Sequence, residues 1–574
     1  MKLQSLAVRC GTLPALLTAL LAASSLCRAQ TPQYNIGDAL RQSEETRRTP
    51  VPRPTAAPVL PQLVEPQLKL KDGETLFVRT FVVEGPSLAD EAEVRAILAP
   101  YQGLKLTLAQ IYEAADKVTT LYRNQGYLVA KVYVPAQDAR SGKLRLKLVP
   151  GRYGTIAVKN ESLVRDSYLQ GVVDRALAGS PYIHRDGLER AVLLMSDLAG
   201  AGVPKVAIGR GQQSETSDFV FGVPEARRFD GHLLGDNFGS PFTGRNRLSG
   251  SLNVNSPLGF GDRLSAFGLV SEDAKLWNGR VAYALPLGYD GLRGEAAVFR
   301  TTYVLGGIYD GLGATGTAEG ISGTLAYPIK RTRNDSIYLT GNFTHKALED
   351  EFFDVSFARR KIDSGTAAVT RDQIGALFGL PLVTSTTFSF TAGYVDFPDP
   401  DQKAFNIAGV NTVGTFMKAN LLFNSTLAFT DKLSLTTTFR AQKSFSGNLD
   451  SSEQMGLTGF WGVRSFDEGL AGDSGYLFTP EVKQALPDFA SYRHSIGVFA
   501  DVGAVWIEDA SYTTTQRKHT RLNDIGLGYY ATYEYAPQRF LLLRAQVAHS
   551  VGPNEGGESY DRQTKGLLQA GFSF

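Results

Sequence analysis

Cysteine is almost absent: the 574 residues hold two, Cys10 and Cys27. Both fall in the first 29 residues, where Lys2 and Arg9 flank the start, the short apolar run Leu13–Ala23 follows, and Cys27 and Ala29 put small residues at positions −3 and −1 of a cut before Gln30. This is the pattern of a cleaved secretory signal. The exported chain keeps no thiol, which excludes disulfide and thiol chemistry. Net charge is scarce as well, with 59 Lys and Arg against 57 Asp and Glu. The signal carries three basic residues and no acidic one, so its removal turns +2 into about −1. A chain so balanced lacks the basic excess that drives nonspecific nucleic-acid binding, and no nucleic-acid partner is expected. Long hydrophobic runs are missing too. Beyond the signal, no stretch approaches ~18 uninterrupted apolar residues, which excludes a helical membrane protein but not a membrane barrel, whose strands alternate. Histidine is sparse and scattered, at 184, 232, 345, 494, 519 and 549. No phosphate-binding loop, zinc-protease or nucleophile-elbow motif occurs, so no enzyme, cofactor or metal site is expected.

What is plentiful is glycine: 59 residues, about 10% against a usual ~7%, a sign of many turns. The length allows two to four domains at roughly 100–200 residues each. After the signal, Ile36–Arg48 reads as a short, mostly polar helix capped by Asp38, with too few apolar residues to support a core. Prolines at 50, 52, 54, 58, 61 and 66 follow; this segment is either a semi-rigid spacer or a disordered tail. A boundary falls near residue 73.

Residues 74–150 read as a small α/β unit in the order strand, helix, helix, strand, strand. Phe77–Gly85 and the alternating Lys143–Val149 are strands. Thr107 and Gln110 form a capping box for a helix with Leu108, Ile111, Ala115, Val118 and Tyr122 on one face and Gly126 as its stop. Residues 151–226 repeat the plan, with a strand at Tyr153–Val158, helices at Ser167–Ala178 and Leu188–Leu198, and strands at Val203–Ile208 and Asp218–Val223. Repeated small modules of this kind read as sites for other chains.

From about residue 229 the chain becomes strand after strand. In Ser336–Thr344, Ile337, Leu339 and Phe343 share one face against Tyr338, Thr340, Asn342 and Thr344. In Lys432–Gln442, Leu433, Leu435 and Phe439 oppose Ser434, Thr436, Thr438, Arg440 and Gln442. One apolar face per strand over this length exceeds what a single soluble sandwich buries. Sixteen strands would leave about 22 residues for each strand and its connection, which suits membrane strands of ~10 residues with short turns and longer outer loops. The chain ends in an aromatic strand, Gly566–Phe574, the expected closing seam of such a barrel.

Four stretches, in order, resemble the transporters of two-partner secretion (the TpsB-type, ShlB/FhaC/HecB family) within the Omp85 superfamily. Tyr122–Tyr127, Val132–Gln137 and Gly142–Leu144 look like the first POTRA domain of that family, and Leu188–Leu198 is similar to its second POTRA helix. Asp236–Arg245 with Pro257–Asp262 resembles the first two barrel strands and their turn. Val463-Arg464-Ser465-Phe466 is close to the V-R-G-[FY] tip of a long inward-folded loop, with Ser465 where the family usually has glycine. If that glycine's backbone freedom were essential, the tip would be held differently here. The resemblance assigns Arg464 a partner in a Phe-x-Asp-x-Gly strand, here Phe499–Gly503, so that Asp501 and Gly503 join the site.

The resemblance implies a mainly β fold: a 16-stranded transmembrane β-barrel preceded by two periplasmic α/β POTRA domains. The expected partition is a signal at 1–29, helix and linker at 30–73, POTRA domains at 74–150 and 151–226, and a barrel at 227–574 with its inward loop around 451–480. It further implies an outer-membrane pore that recognises a large secreted partner protein in unfolded form, adhesin or cytolysin, and exports it without nucleotide hydrolysis, in contact with outer-membrane lipid. The alternatives are an Omp85-type assembly factor for other barrels and, less well matched, a solute porin. By the same resemblance, Ile36–Arg48 occupies the lumen at rest.

Overall fold

The computed structural model describes residues 35–47, 75–489, 492–509, 518–552 and 563–574. The signal and the proline-rich segment lie outside the described residues. Helix α1 (Ile36–Arg47) comes first. Its cap is Asn35, not Asp38: the Asn35 side chain accepts from the Gly37 N–H at 2.8 Å, while Asp38 reaches back to the Asn35 N–H at 2.9 Å. The pair works as a reciprocal cap in which Asp38 is the returning arm.

The first α/β unit contains β1 (Thr75–Val78), β2 (Thr80–Glu84), α2 (Glu91–Leu98), β3 (Leu104–Thr107), α3 (Leu108–Asn124), β4 (Lys131–Tyr133) and β5 (Lys143–Val149). The expected single strand from Phe77 breaks at Arg79, where the Arg79 and Thr80 N–H groups both donate to the Gly142 carbonyl, at 2.7 and 3.2 Å. That break frees β1 to pair with β3, a strand the sequence pattern did not suggest. Helix α3 carries the capping box, and Ile111, Ala115, Val118 and Tyr122 are buried while Leu108 is half-buried. The second unit contains β6 (Arg152–Asn160), α4 (Asp166–Leu177), α5 (Arg185–Ser196), β7 (Lys205–Arg210) and β8 (Thr216–Val223). In the first unit β2 runs parallel to β5, which is antiparallel to β4; in the second β6 runs parallel to β8, which is antiparallel to β7. The same three-stranded plan is built twice.

The second unit is bolted to the barrel. Arg331 grips the Asp197 carboxylate with two hydrogen bonds of 2.9 Å, and the Arg333 N–H donates to Glu189 at 2.6 Å. These contacts place the second unit at the barrel end formed by the turn around residues 331–335.

The barrel strands are β9 (Phe229–Asp236), β10 (Arg247–Asn255), β11 (Arg263–Ser271), β12 (Leu276–Pro286), β13 (Arg293–Val304), β14 (Thr315–Arg331), β15 (Asp335–Phe352) and β16 (Val355–Leu377). The second half comprises β17 (Leu380–Asp396), β18 (Gly414–Ala428) and β19 (Leu433–Ser444). Beyond the two-residue ladder of β20 (Met455–Gly456) and β21 (Ala471–Gly472), it continues as β22 (Ser474–Ala485), β23 (Tyr492–Trp506), β24 (His519–Ala536), β25 (Arg539–Ser550) and β26 (Thr564–Ser573). Leaving out β20 and β21, these sixteen strands form a closed antiparallel barrel, sealed by Gln569–Ser573 against His232–Asp236. Closure leaves no unpaired sheet edge within the bilayer. Leu339 and Phe343 are exposed on the outside, as are Trp277, Val281, Leu527, Val547 and Leu568. Lys346, Asp350, Arg360, Gln442, Asp501 and Asp524 are buried inside. The inward loop differs from its expected span: it runs from 445 to 473, and residues 474–480 belong to β22.

Candidate functional site

Among the described residues, helix α1 and the 445–473 loop lie in the lumen, and the loop tip is fixed by charge. Within the loop, the β20–β21 ladder closes the neck, and the Val463 N–H donates to the Leu457 carbonyl at 2.7 Å to form a compact turn. Arg464 projects from this turn to the wall. Its Nε and Nη2 donate to the two oxygens of Asp501 at 2.8 and 2.9 Å, and its backbone N–H reaches the same carboxylate at 3.3 Å. A bidentate guanidinium–carboxylate pair fixes orientation as well as distance. The guanidinium also lies 3.4 Å from the centroid of the Phe499 ring, in the stacked arrangement that favours Arg over Lys. Asp501 is fully buried and Arg464 nearly so. Breaking such a pair by removing one partner typically costs ~3–5 kcal/mol.

The other residues around the tip are packed for the same purpose. Val463 and Phe466 are buried with Leu457, Leu477, Val505 and Leu522. Gly503 leaves the space that Leu457 fills, since a Cβ there would stand 2.5 Å from the Leu457 Cδ1. Phe-x-Asp-x-Gly thus supplies a ring under the guanidinium, a carboxylate for it, and a gap for the loop. Ser465 has no positive φ and is buried in ordinary backbone conformation, so the position does not demand glycine. Ser465→Gly is expected to leave export within about twofold and stability within ~1 kcal/mol, checked by a secretion assay and thermal unfolding.

One partner escaped the sequence reading. Asp524 on β24 stands directly opposite Asp501 on β23, is fully buried, and accepts the Ser465 N–H at 2.7 Å. Two carboxylates therefore face one guanidinium, one taking the side chain and the other the backbone of the loop tip. The tip also reaches the seam: Asp467 binds Arg245 through two bonds of 2.8 Å and Lys565 at 2.8 Å, and Phe460 stacks on Phe238 at 3.6 Å.

Helix α1 sits between the loop and the wall. Ile36 and Ala39 join a buried cluster with Tyr303, Leu348 and Ile362. The Ile36 N–H donates to Asp350 at 3.3 Å, which also accepts Tyr303 Oη and Arg360 Nη1, each at 2.8 Å. Arg360 continues to Asp450 of the loop at 2.6 Å. Arg41 donates to the Ser451 and Gln454 carbonyls, and Glu45 pairs with Arg440 at 2.7 Å. Lys346 and Lys418 hold Glu453 at 2.5 and 2.8 Å.

Residues 215–528 match the family described as haemolysin secretion/activation protein ShlB/FhaC/HecB, and residues 76–151 match the ShlB-type POTRA domain. The chain belongs to this family. It is 27% identical to the heme/hemopexin transporter protein HuxB of Haemophilus influenzae (strain 86-028NP) over 455 residues, 76% of this chain and 77% of that protein. It is 25% identical to the outer membrane transporter CdiB of Escherichia coli O6:K15:H31 over 464 residues, 78% of this chain and 74% of CdiB. In fold it matches solved CdiB from Escherichia coli with a TM-score of 0.70 at 20% identity, covering 93% of this chain and 96% of that one. Solved CdiB from Acinetobacter baumannii gives 0.61 at 15% identity, with 94% and 97% covered. As a ShlB/FhaC/HecB protein the chain is an outer-membrane transporter of two-partner secretion, with its POTRA units in the periplasm and a barrel through which a partner protein is exported.

Proposed function

We propose that helix α1 and the 445–473 loop keep the export pore shut at rest, and that a large adhesin- or cytolysin-type partner, arriving unfolded, displaces them as it threads the barrel. The observation that carries this is the continuous set of contacts from wall to helix to loop to opposite wall, through Asp350, Arg360, Asp450, Arg41, Arg464 and Asp501. Val463, Arg464, Ser465, Phe466, Asp501 and Gly503 form the lock of the loop tip, with Asp524 beside them. The partner's own folding outside the cell, with burial of its apolar surface, supplies the bias for export.

The chain is organised for this as a signal at 1–29, a tether at 30–73, POTRA units at 74–150 and 151–226, and a barrel at 227–574 whose apolar belt meets outer-membrane lipid. The sheet edges β2 and β4 of the first unit, and β6 and β7 of the second, accept an extended segment of the partner by strand addition. Deleting 74–226 is expected to abolish secretion while the barrel still assembles and conducts. Secretion that survives the deletion would reject delivery by these units.

A further inference from the structure

Strand β16 is 23 residues long, Val355–Leu377, and its Leu377 end turns at the periplasmic side. At ~3.3 Å per residue and a tilt of ~40° it rises roughly 55–60 Å, about twice the ~25 Å apolar belt of such barrels. Its far end therefore stands in water outside the cell. Two charged pairs mark the same limit: between β15 and β16, Arg359 pairs with Glu349 at 2.5 Å and His345 with Asp363 at 2.7 Å, above the lipid-facing Leu339, Phe343 and Val369.

Between these two pairs β16 loses its neighbour on the β17 side. Pairing with β17 ends at Lys361 opposite Asp396, so among the described residues Val355–Arg360 has no strand on that side. Helix α6 (Pro400–Ala408) lies there instead. Gln402 Nε2 donates to the Ser356 carbonyl at 2.9 Å, and the Arg359 N–H donates to Gln402 Oε1 at 2.7 Å. A carboxamide carries the same donor and acceptor as a peptide group, so Gln402 fills one rung of the ladder as an added strand would. Around it, water-facing apolar side chains collect: Phe353, Val355, Phe357 and Phe405 are 64, 65, 50 and 66% exposed. The Phe357 and Phe405 rings meet edge to face at 5.8 Å. An open edge flanked by exposed aromatics is normally a liability that proteins blunt or cover.

We propose that Val355–Arg360, with Phe405, is a docking edge for the first extended segment of the emerging partner. An incoming chain of alternating apolar and polar residues pairs with the β16 backbone in place of Gln402 and lays its apolar side chains on Phe357 and Phe405. The exported chain thus meets a folding template at the pore exit. The identity of the occupant rests on the export reading; the chemistry of the edge does not.

The test uses the full-length protein in nanodiscs and a synthetic ten-residue peptide of alternating valine and threonine. Expected are saturable binding and slowed hydrogen exchange at the Val355–Arg360 amides. Binding falls at least tenfold in the Phe357→Lys, Phe405→Lys double variant and in Arg359→Pro, with channel conductance unchanged, and a peptide with proline at alternate positions does not bind. Equal binding to the double variant, protection confined to other strands, or the same protection from phospholipid vesicles without peptide would overturn the proposal. Because the peptide assay involves no secretion, its failure leaves the export reading standing, and loss of that reading leaves the peptide result intact.

Discussion

Arg464→Ala is expected to abolish export while the barrel still assembles. The substitution removes a guanidinium that makes two side-chain bonds to Asp501 and lies over the Phe499 ring. It leaves the fully buried Asp501 without its cation, opposite the equally buried Asp524. Breaking a buried pair by removing one partner typically costs ~3–5 kcal/mol. The freed tip then lies unanchored across the path that the partner must thread, which blocks export, while the sixteen-strand ladder, which does not depend on Arg464, stays closed. Arg464→Lys restores the charge but neither the fork nor the stacking, so only partial recovery is expected. Asp524→Asn keeps an acceptor for the Ser465 N–H and leaves the Arg464–Asp501 fork in place, so it is expected to be milder than Asp501→Asn, which breaks the bidentate pair. Secretion assayed beside the heat-modifiable gel mobility of the folded barrel separates these outcomes. Wild-type export by Arg464→Ala would sink the lock.

The barrel was legible because it rests on a local rule: alternation along each strand states which side chains meet lipid, and chain length limits the number of strands. The Arg464 site was legible through a motif. What lay beyond reach depended on register or on an interior that sequence periodicity does not reveal. Asp524 looks like any polar residue of an alternating strand until pairing sets it opposite Asp501. Gly475 falls within the expected 451–480 loop, yet it lies in β22, where a Cβ would stand 2.6 Å from the Ala504 carbonyl oxygen; its role is close approach between strands. The break at Arg79 comes from a carbonyl more than sixty residues away, that of Gly142. Helix α1 seemed too polar to support a core. It supports none of its own: buried Asp38, Gln42 and Ser43 face a polar lumen, and Ile36 and Ala39 enter a cluster built by the wall.

That borrowed stability makes Gly37→Leu the sharpest test of the plug. A helix of 12 residues is marginal in water by itself, so α1 stays helical in the lumen through what it touches. Burial of Ile36 contributes ~1.5–3 kcal/mol, and the bonds through Asp350, Arg41 and Glu45 add orientation. The total is a few kilocalories, enough to keep the helix seated and small enough for a threading chain to displace. At Gly37 helix and loop approach closely: a Cβ would overlap the Ser452 nitrogen and the Ser451 backbone, neither of which can rotate away. Overpacking of this kind costs ~1–3 kcal/mol, and each 1.4 kcal/mol shifts an equilibrium about tenfold. Gly37→Leu is therefore expected to raise the open fraction of single channels in planar bilayers about tenfold or more, approaching the effect of deleting 31–48, with the barrel and the Arg464 pair untouched. If neither variant changes conductance, α1 does not gate the pore. A rise on deletion alone would mean that α1 is seated by its contacts with the wall and not by its approach to the loop, and the coupling of the two bodies would fall.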